Sequence, residues 1–246
     1  MANQRHLGNA PIIEAIIDFR VKLPPEFNPG GFSTLSKTIS SRYPKSEPRK
    51  LITGTFAMKE NKPFINLPEM KGIQGYIYKT EDEKNVAQFR IDGFTFSRLK
   101  PYTEWENIIS EARSLWGKYY DQSSPELISR IAVRYINKLD LPIAMKKFEE
   151  YLTAPPQVPE SLPQELSQFL TRVVIHKADI TANIIQTLDR SQKPKHLGVI
   201  LDIDVYKTSQ KGIDKSSLWT EFERLRNMKN LVFFESITEK TARLYE

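Results

Sequence analysis

The chain contains 246 residues, of which 39% are hydrophobic, 27% are charged and none is cysteine. This composition can fill a hydrophobic core and excludes a disordered chain, a disulfide framework, a thiolate zinc site and a cysteine nucleophile. Lysine and arginine together number 36 against 30 acidic residues, and the resulting formal charge of +6 favours anionic partners only where it is concentrated.

The first half of the chain predicts a strand, a short helix, four further strands and a long helix. The first strand alternates apolar residues at period two and ends at Pro24. Thr103 and Glu106 have the spacing of a capping box at the start of the long helix. The predicted elements are a strand at 12–23, a helix at 31–41, strands at 50–58, 73–80, 86–91 and 94–99, and a helix that extends to about residue 120.

The second half repeats this order after the segment 123–125. Ser216 or Ser217 is the predicted cap of a late helix, and Ser236 with Glu239 forms a second capping box. The predicted elements are a strand at 127–139, a helix at 145–152, a proline-rich connection, strands at 170–177, 180–188 and 198–205, and helices at 218–226 and 231–245.

The repeated order predicts an α+β protein of two β-α-β(3-4)-α units, one at 1–124 and one at 125–246. Successive strands with short turns pair antiparallel, and the amphipathic helices must cover the sheet. The units form either separate lobes or one continuous domain. The order of elements resembles the duplicated TATA-binding-protein-like arrangement and, more loosely, helix-grip folds.

Two carboxylates lie on the polar face of the first strand. Glu14 and Asp18 alternate with the apolar residues of that strand, so burial of this face would require cationic partners. Arg130 and Arg134 occupy the equivalent strand of the second unit. We therefore expect structural ion pairs between the two units.

Asp202 and Asp204 are candidate metal ligands. They are two residues apart in a predicted strand and share one face, as paired carboxylates that bind Mg²⁺ would, and Asp189 on the preceding strand is a possible third ligand. The same pattern is typical of a solvated acidic face that pairs with arginine or lysine across the sheet. We favour ion pairing over metal binding and expect no cofactor.

Basic and aromatic residues suggest a contact surface for nucleic acid or for a protein partner. Aromatic residues at 76, 78, 89, 94 and 96 alternate with basic ones, as in stacking platforms for single strands, although one sheet face must pack on helices. A protein–protein surface, including a homodimer, is the alternative. The basic candidates are Arg42, Lys45, Arg49, Lys50, Arg98, Lys100, Lys193 and Lys195.

Four segments together resemble a family of prokaryotic conserved hypothetical proteins that are sporadically distributed among genomes. These segments are NAPIIEAIID at 9–18, FTFSRLKPY at 94–102, RIAVRYIN at 130–137 and FESIT at 234–238. The resemblance implies a cytoplasmic bacterial or archaeal protein with no established activity, of the accessory or defence-associated kind. It transfers no catalytic residue.

We therefore expect a non-enzymatic binding or regulatory protein that uses a sheet face or the groove between the units. Its expected partner is a protein or a second copy of the chain, with no membrane contact, since no apolar run approaches the roughly 18 residues that cross a bilayer. A toxin–antitoxin or phage-defence locus is implied by the resemblance alone. The alternatives are an Mg²⁺-dependent enzyme acting on phosphate-containing substrates through Asp202 and Asp204, and sequence-independent binding of nucleic acid.

Overall fold

A computed structural model of the chain contains one antiparallel sheet of nine strands and a separate two-stranded hairpin. The structure describes the backbone of all residues except 54, 55, 60, 61, 66–68, 145, 146 and 192, and no side chain is described in 51–53, 56–59, 62–65 or 69–71. The chain is therefore broadly α+β, as the order of elements predicts.

The strands account for most of the regular structure. They are β1 (Ile12–Lys22), β2 (Lys45–Thr53), β3 (Phe56–Lys59), β4 (Lys62–Ile65), β5 (Glu69–Lys79), β6 (Asn85–Arg90), β7 (Gly93–Leu99), β8 (Leu127–Pro142), β9 (Leu170–Lys177), β10 (Ile180–Asp189) and β11 (His196–Thr208).

Four α-helices and three 3₁₀ segments complete the described elements. The α-helices are α1 (Ser36–Ile39), α2 (Trp105–Ser123), α3 (Leu218–Ser236) and α4 (Glu239–Ala242), and the 3₁₀ segments are Pro29–Leu35, Phe148–Glu150 and Arg243–Tyr245. No helix among the described residues combines the length and the apolar character needed to cross a membrane.

The large sheet has the order β2-β5-β6-β7-β1-β8-β11-β10-β9, with β1 and β8 side by side near its centre. Their antiparallel register places Ile17 opposite Val133 and Asp18 opposite Ala132. Outward from β1 the neighbours are β7, β6, β5 and β2, and outward from β8 they are β11, β10 and β9. The hydrogen-bonded ladder thus continues without a break from the first half of the chain into the second.

The core lies between one face of this sheet and the helices α2 and α3. Phe19 on β1 is fully buried, with its ring stacked on that of Trp116 on α2 at 3.9 Å and tilted against that of Phe222 on α3 at 5.0 Å. Burial of one such aromatic side chain stabilises a fold by about 1.5–3 kcal/mol. The period-two pattern of β1 therefore determines which sheet face receives both helices.

Several predicted helix boundaries are wrong. The N-cap of α2 is Glu104, with no side-chain hydrogen bond, and not the predicted Thr103. The structure has one continuous helix, α3, across the predicted gap between the helices at 218–226 and 231–245. The helix continues because residues 227–230 contain no helix breaker and because Met228 and Val232 are buried. Ser236 closes this helix, and Thr238 caps α4.

The short predicted helices are reduced to tighter turns. The predicted helix at 31–41 consists of a 3₁₀ segment followed by a single α-turn. Of the predicted helix at 145–152, only Phe148–Glu150 is helical, and residues 145 and 146 lie outside the described part of the chain. Part of the predicted strand at 50–58, residues 54 and 55, is also outside it.

Candidate interaction surface

The sheet face that carries Asp18, Arg130 and Asp204, opposite to α2 and α3, is referred to below as the open face. Successive residues of a strand point to opposite sides, so the burial of Ile17 and Phe19 under the helices places Asp18 and Arg20 on the open face. The open face is consequently lined by charged side chains in its central strands.

Asp18 is the centre of an ion-pair network on this face. Its carboxylate accepts hydrogen bonds from the Arg130 Nη1 at 3.1 Å, the Arg90 Nη2 at 3.2 Å and the Thr95 hydroxyl at 2.7 Å. Asp18 is 8% exposed and Arg90 is 4% exposed. A carboxylate so enclosed needs several donors, since an unpaired buried charge is strongly unfavourable.

Arg130 joins this centre to the next strand. Its Nη2 donates to both oxygens of Asp204, at 3.0 and 2.8 Å, and its guanidinium lies 4.5 Å from the centroid of the Tyr206 ring. Burial raises the pKa of Asp204, and the charge of Arg130 opposes that effect. Three strands, β1, β8 and β11, are thus linked through one arginine.

Arg134 and Asp202 form the second link between β8 and β11. The Arg134 Nε donates to one carboxylate oxygen at 2.9 Å and Nη2 donates to the other at 2.6 Å, and this hydrogen bonding raises the pKa of Arg134. Glu14 forms no salt bridge with a described residue, although its charge contributes to the raised pKa of Arg134. The predicted ion-pair residues therefore meet at Asp18 and Arg130, whereas Arg134 faces Asp202.

The three predicted metal ligands do not converge. Asp202 and Asp204 share the open face, but each is held by its own arginine, and Asp189 accepts a hydrogen bond from the Lys138 ammonium at 2.7 Å. That bond lowers the pKa of Asp189. Within the described part of the chain, no group of three or more histidine, aspartate or glutamate residues is placed to hold a metal ion.

The predicted basic residues are divided between separate parts of the surface. Arg42 lies 2.9 Å from Glu111 on α2, Lys45 lies 3.0 Å from Glu83, and Lys193 lies 3.5 Å from Asp140 in the other half. Arg98 donates to the Asn85 side chain at 3.0 Å. Arg49, Lys50, Lys100 and Lys195 are exposed. Arg42 and Arg98 line one cavity and Lys100 and Lys193 line another, so the structure brings together two pairs of these residues at separate places.

The predicted aromatic platform is also absent from the described surface. Tyr78, Phe89, Phe94 and Phe96 are buried in the core under α2, and of the five aromatic candidates only Tyr76 is partly exposed. Their apolar surface is used in packing, because the same period-two alternation that spaces them turns them toward the helices. They offer no stacking surface to a nucleic acid.

Sequence reasoning predicted the strand at 170–177, which is β9, but missed that this strand lies at an edge of the sheet with exposed apolar side chains. Its eight residues pair with β10, and no described residue pairs with its other side. Four large apolar side chains are nevertheless exposed on it: Leu170 at 68%, Val173 at 52%, Val174 at 43% and Ile175 at 36%. Long, apolar edge strands are unusual in monomeric proteins because their free backbone groups attract other strands.

The position of β9 explains its exposure. In the first half, β2 pairs with β5 and forms the outermost strand. In the second half, the described residues contain no strand beyond β9, and the preceding segment 153–168 carries four prolines. Those prolines, in the place where the first half has a strand, are the signal that could have identified the open edge.

No protein-family model matches this chain, and no curated protein matches it.

Proposed function

We propose that this chain is a non-enzymatic binding or regulatory protein that recruits an extended segment of a protein partner to β9. The exposed apolar edge of β9 is the observation that carries this proposal. An incoming strand gains main-chain hydrogen bonds along a free edge, and the side chains at alternate positions provide specificity.

Charge favours a partner segment that contains acidic residues. Arg172 and Lys177 lie on β9 and no acidic residue does. Two copies of β9 paired with each other would bring like charges onto one short ladder, which is unfavourable. An acidic and apolar segment from another protein would pair with the cations and cover Val173 and Ile175.

The open face argues against nucleic acid as the partner. Asp18, Asp202 and Asp204 lie among its arginines and would repel phosphate groups, and the aromatic residues that stack on bases in such proteins are buried in this chain. Since the arginines are occupied by carboxylates of the same chain, little positive charge is left for a phosphate backbone.

The remaining expectations belong to the same proposal. We propose a TATA-binding-protein-like duplication, supported by the first three strands outward from β1 (β7, β6, β5) and from β8 (β11, β10, β9), which follow the same reversed chain order. A cytoplasmic setting in a toxin–antitoxin or phage-defence locus is proposed on the family resemblance alone.

The test is a native pull-down with the full chain, in which co-purified protein and nucleic acid are both quantified. The variant V173E/I175E removes apolar surface from β9 and adds negative charge that repels an acidic segment, and L244E is the matched control, since Leu244 is an exposed leucine, 45% accessible, in the C-terminal 3₁₀ segment. We expect one stoichiometric protein partner that binds wild type and L244E and is lost from V173E/I175E.

The purified partner should then protect β9 amides from hydrogen exchange. Retention of the partner by V173E/I175E would overturn the assignment of β9. Recovery of nucleic acid in place of protein would overturn the partner class. A dimer in sedimentation experiments that dissociates in V173E/I175E would show that the occupant is a second copy.

A further inference from the structure

A cavity of about 380 Å³ lies where the N-terminal segment crosses α3 and β8. The N-terminal segment is held in place by hydrogen bonds from the Ala2 amide to the Phe234 carbonyl at 3.1 Å and by the Arg5 guanidinium, which lies 2.7 Å from Glu239. The cavity is therefore formed by elements from both ends of the chain, and its size falls within the range of small-molecule sites.

Lys229 is the most unusual residue of this cavity. It lines the cavity from α3 and is 8% exposed, with its ammonium 3.8 Å from the centroid of the Tyr135 ring. Its described hydrogen-bond partner is the neutral Asn230 side chain, at 2.5 Å. A lysine ammonium has three donors, so Lys229 retains donor capacity.

The electrostatic surroundings of Lys229 are positive. Arg5, His6 and Arg226 also line the cavity, and none of its described lining residues is acidic. Arg226 is partly neutralised at the rim, 3.3 Å from Glu223, and Arg5 is neutralised by Glu239 and Glu246. Burial, together with the charge of Arg226, lowers the pKa of Lys229 to about 7.

A buried lysine without a carboxylate is costly to a fold, and an apolar residue of similar volume would be more stable in its place. Retention of such a group in a cavity is typical of functional sites. The rest of the lining is mainly apolar and aromatic, with Leu7, Ile12, Phe233 and Phe234 around the Tyr102 and Tyr135 rings. The cavity thus combines a cationic end with an apolar body.

We propose that this cavity binds a small organic anion, a carboxylate on an apolar body, with Lys229 as the residue that binds the carboxylate. The ligand carboxylate would supply the counter-charge that the described lining residues lack. Arg226, one turn before Lys229 on α3, would strengthen the attraction of the ligand carboxylate. The Tyr102 and Tyr135 hydroxyls lie 3.2 Å apart on the same wall, and the one that accepts this hydrogen bond keeps its own proton as a neutral donor.

The test uses the full chain and benzoate as the probe, with its neutral analogue benzamide, by titration calorimetry near pH 8. We expect benzoate to bind with uptake of a proton, seen as a buffer-dependent heat, since an anion raises the pKa of the adjacent ammonium. Benzamide should bind at least tenfold more weakly. Inorganic phosphate, which has the charge without the apolar body, should also bind more weakly than benzoate.

The variant K229M keeps the length of the side chain and removes the charge, and K211M is the control at an exposed lysine of the β11–α3 connection. We expect K229M to lose at least tenfold in benzoate affinity and all of the proton uptake, with both variants folded by circular dichroism. Equal binding by K229M and wild type would overturn the proposal. The proposal would also be overturned if neither benzoate nor phosphate changed the pKa of the Lys229 side chain, as measured by NMR.

Equal affinity for phosphate and benzoate would overturn the assignment of an apolar body. These measurements need no protein partner and do not involve β9. Their failure is therefore distinguishable from failure of the proposed partner binding.

Discussion

Arg134 on β8 contacts Asp202 on β11 diagonally, two residues from its register partner Asp204, in a two-point contact with Nε–Oδ1 and Nη2–Oδ2 distances of 2.9 and 2.6 Å. A carboxylate that binds an arginine in this way has both oxygens occupied and is a poor ligand for a divalent cation. Although its sequence pattern is typical of metal sites, Asp202 therefore links two strands through Arg134.

We therefore expect magnesium to leave the thermal stability of the protein unchanged. A ligand that binds only the native state raises the melting temperature, so millimolar Mg²⁺ should give no shift in the melting temperature of wild type. The D202A/D204A variant should be less stable than wild type, because Arg130 and Arg134 lose partners. A Mg²⁺-dependent rise in wild type that disappears in D202A/D204A would contradict these expectations and support the metal-dependent enzyme.

Asp18→Asn should be strongly destabilising. The neutral amide removes a charge shared by Arg90 and Arg130, which keep Asp92 and Asp204 as their other partners. We therefore expect a loss of about 3 kcal/mol, at the lower end of the range for removing one partner of a buried ion pair. Chemical denaturation with urea measures the loss in free energy of unfolding. The control is Glu126→Gln, whose exposed partner Lys22 is 3.2 Å away, and where we expect a change below about 1 kcal/mol. Equal effects of the two variants would disprove the central role of Asp18.

Gly93→Ala tests the close approach of β7 to β1. Gly93 has φ +152°, and a Cβ atom there would lie 1.9 Å from the carbonyl oxygen of Phe19, so the strands must separate. We expect a loss of about 3 kcal/mol or more in the free energy of unfolding, within the range of overpacked sites.

Gly117→Ala on α2 is the matched control for this substitution. A Cβ atom at Gly117 meets no atom within 4 Å, and alanine is the better helix former. Stability should rise by about 0.5–1 kcal/mol. A Gly93→Ala protein as stable as wild type would show that β1 and β7 tolerate a wider spacing.

The buried ammonium of Lys229 makes stability depend on pH. Its pKa is about 7 in the folded protein against 10.5 when unperturbed, so between these values the unfolded chain binds more protons and stability rises with pH. The full cost of the charge is present below about pH 7. The groups that face it from the surrounding elements are Arg226, Tyr102, Tyr135, Arg5 and His6.

We therefore expect K229M to have a higher free energy of unfolding than wild type, by roughly 1.4 kcal/mol for each unit by which folding lowers the pKa of Lys229. The difference should be largest below about pH 7 and decrease as the pH rises toward 10.5, above which wild-type Lys229 is largely neutral in both states. Urea denaturation of both proteins across this range measures it. A difference that is constant with pH would show that Lys229 is not the titrating group.

The sequence by itself determined most strands of the large sheet and the alternation of their faces, whereas β2 begins five residues before the strand predicted at 50–58 and β4 was not predicted. Period-two alternation is a local property of the chain, so β6, β7, β10 and β11 agree with prediction to within a few residues. The same alternation indicated that Glu14 and Asp18 lie opposite the apolar face of β1, and it offered two arginines from the second half as partners.

Only the tertiary structure decided which charges meet. In the strand register Arg134 lies opposite Asp204, and Arg130 lies opposite Arg20. The ion pairs Asp18–Arg130 and Arg134–Asp202 are therefore diagonal contacts, and they depend on a register that is determined by packing of whole strands under the helices. The open edge of β9 and the isolated ammonium of Lys229 are likewise non-local. Each depends on which element is next to it in space, and neither residue type nor spacing along the chain contains that information.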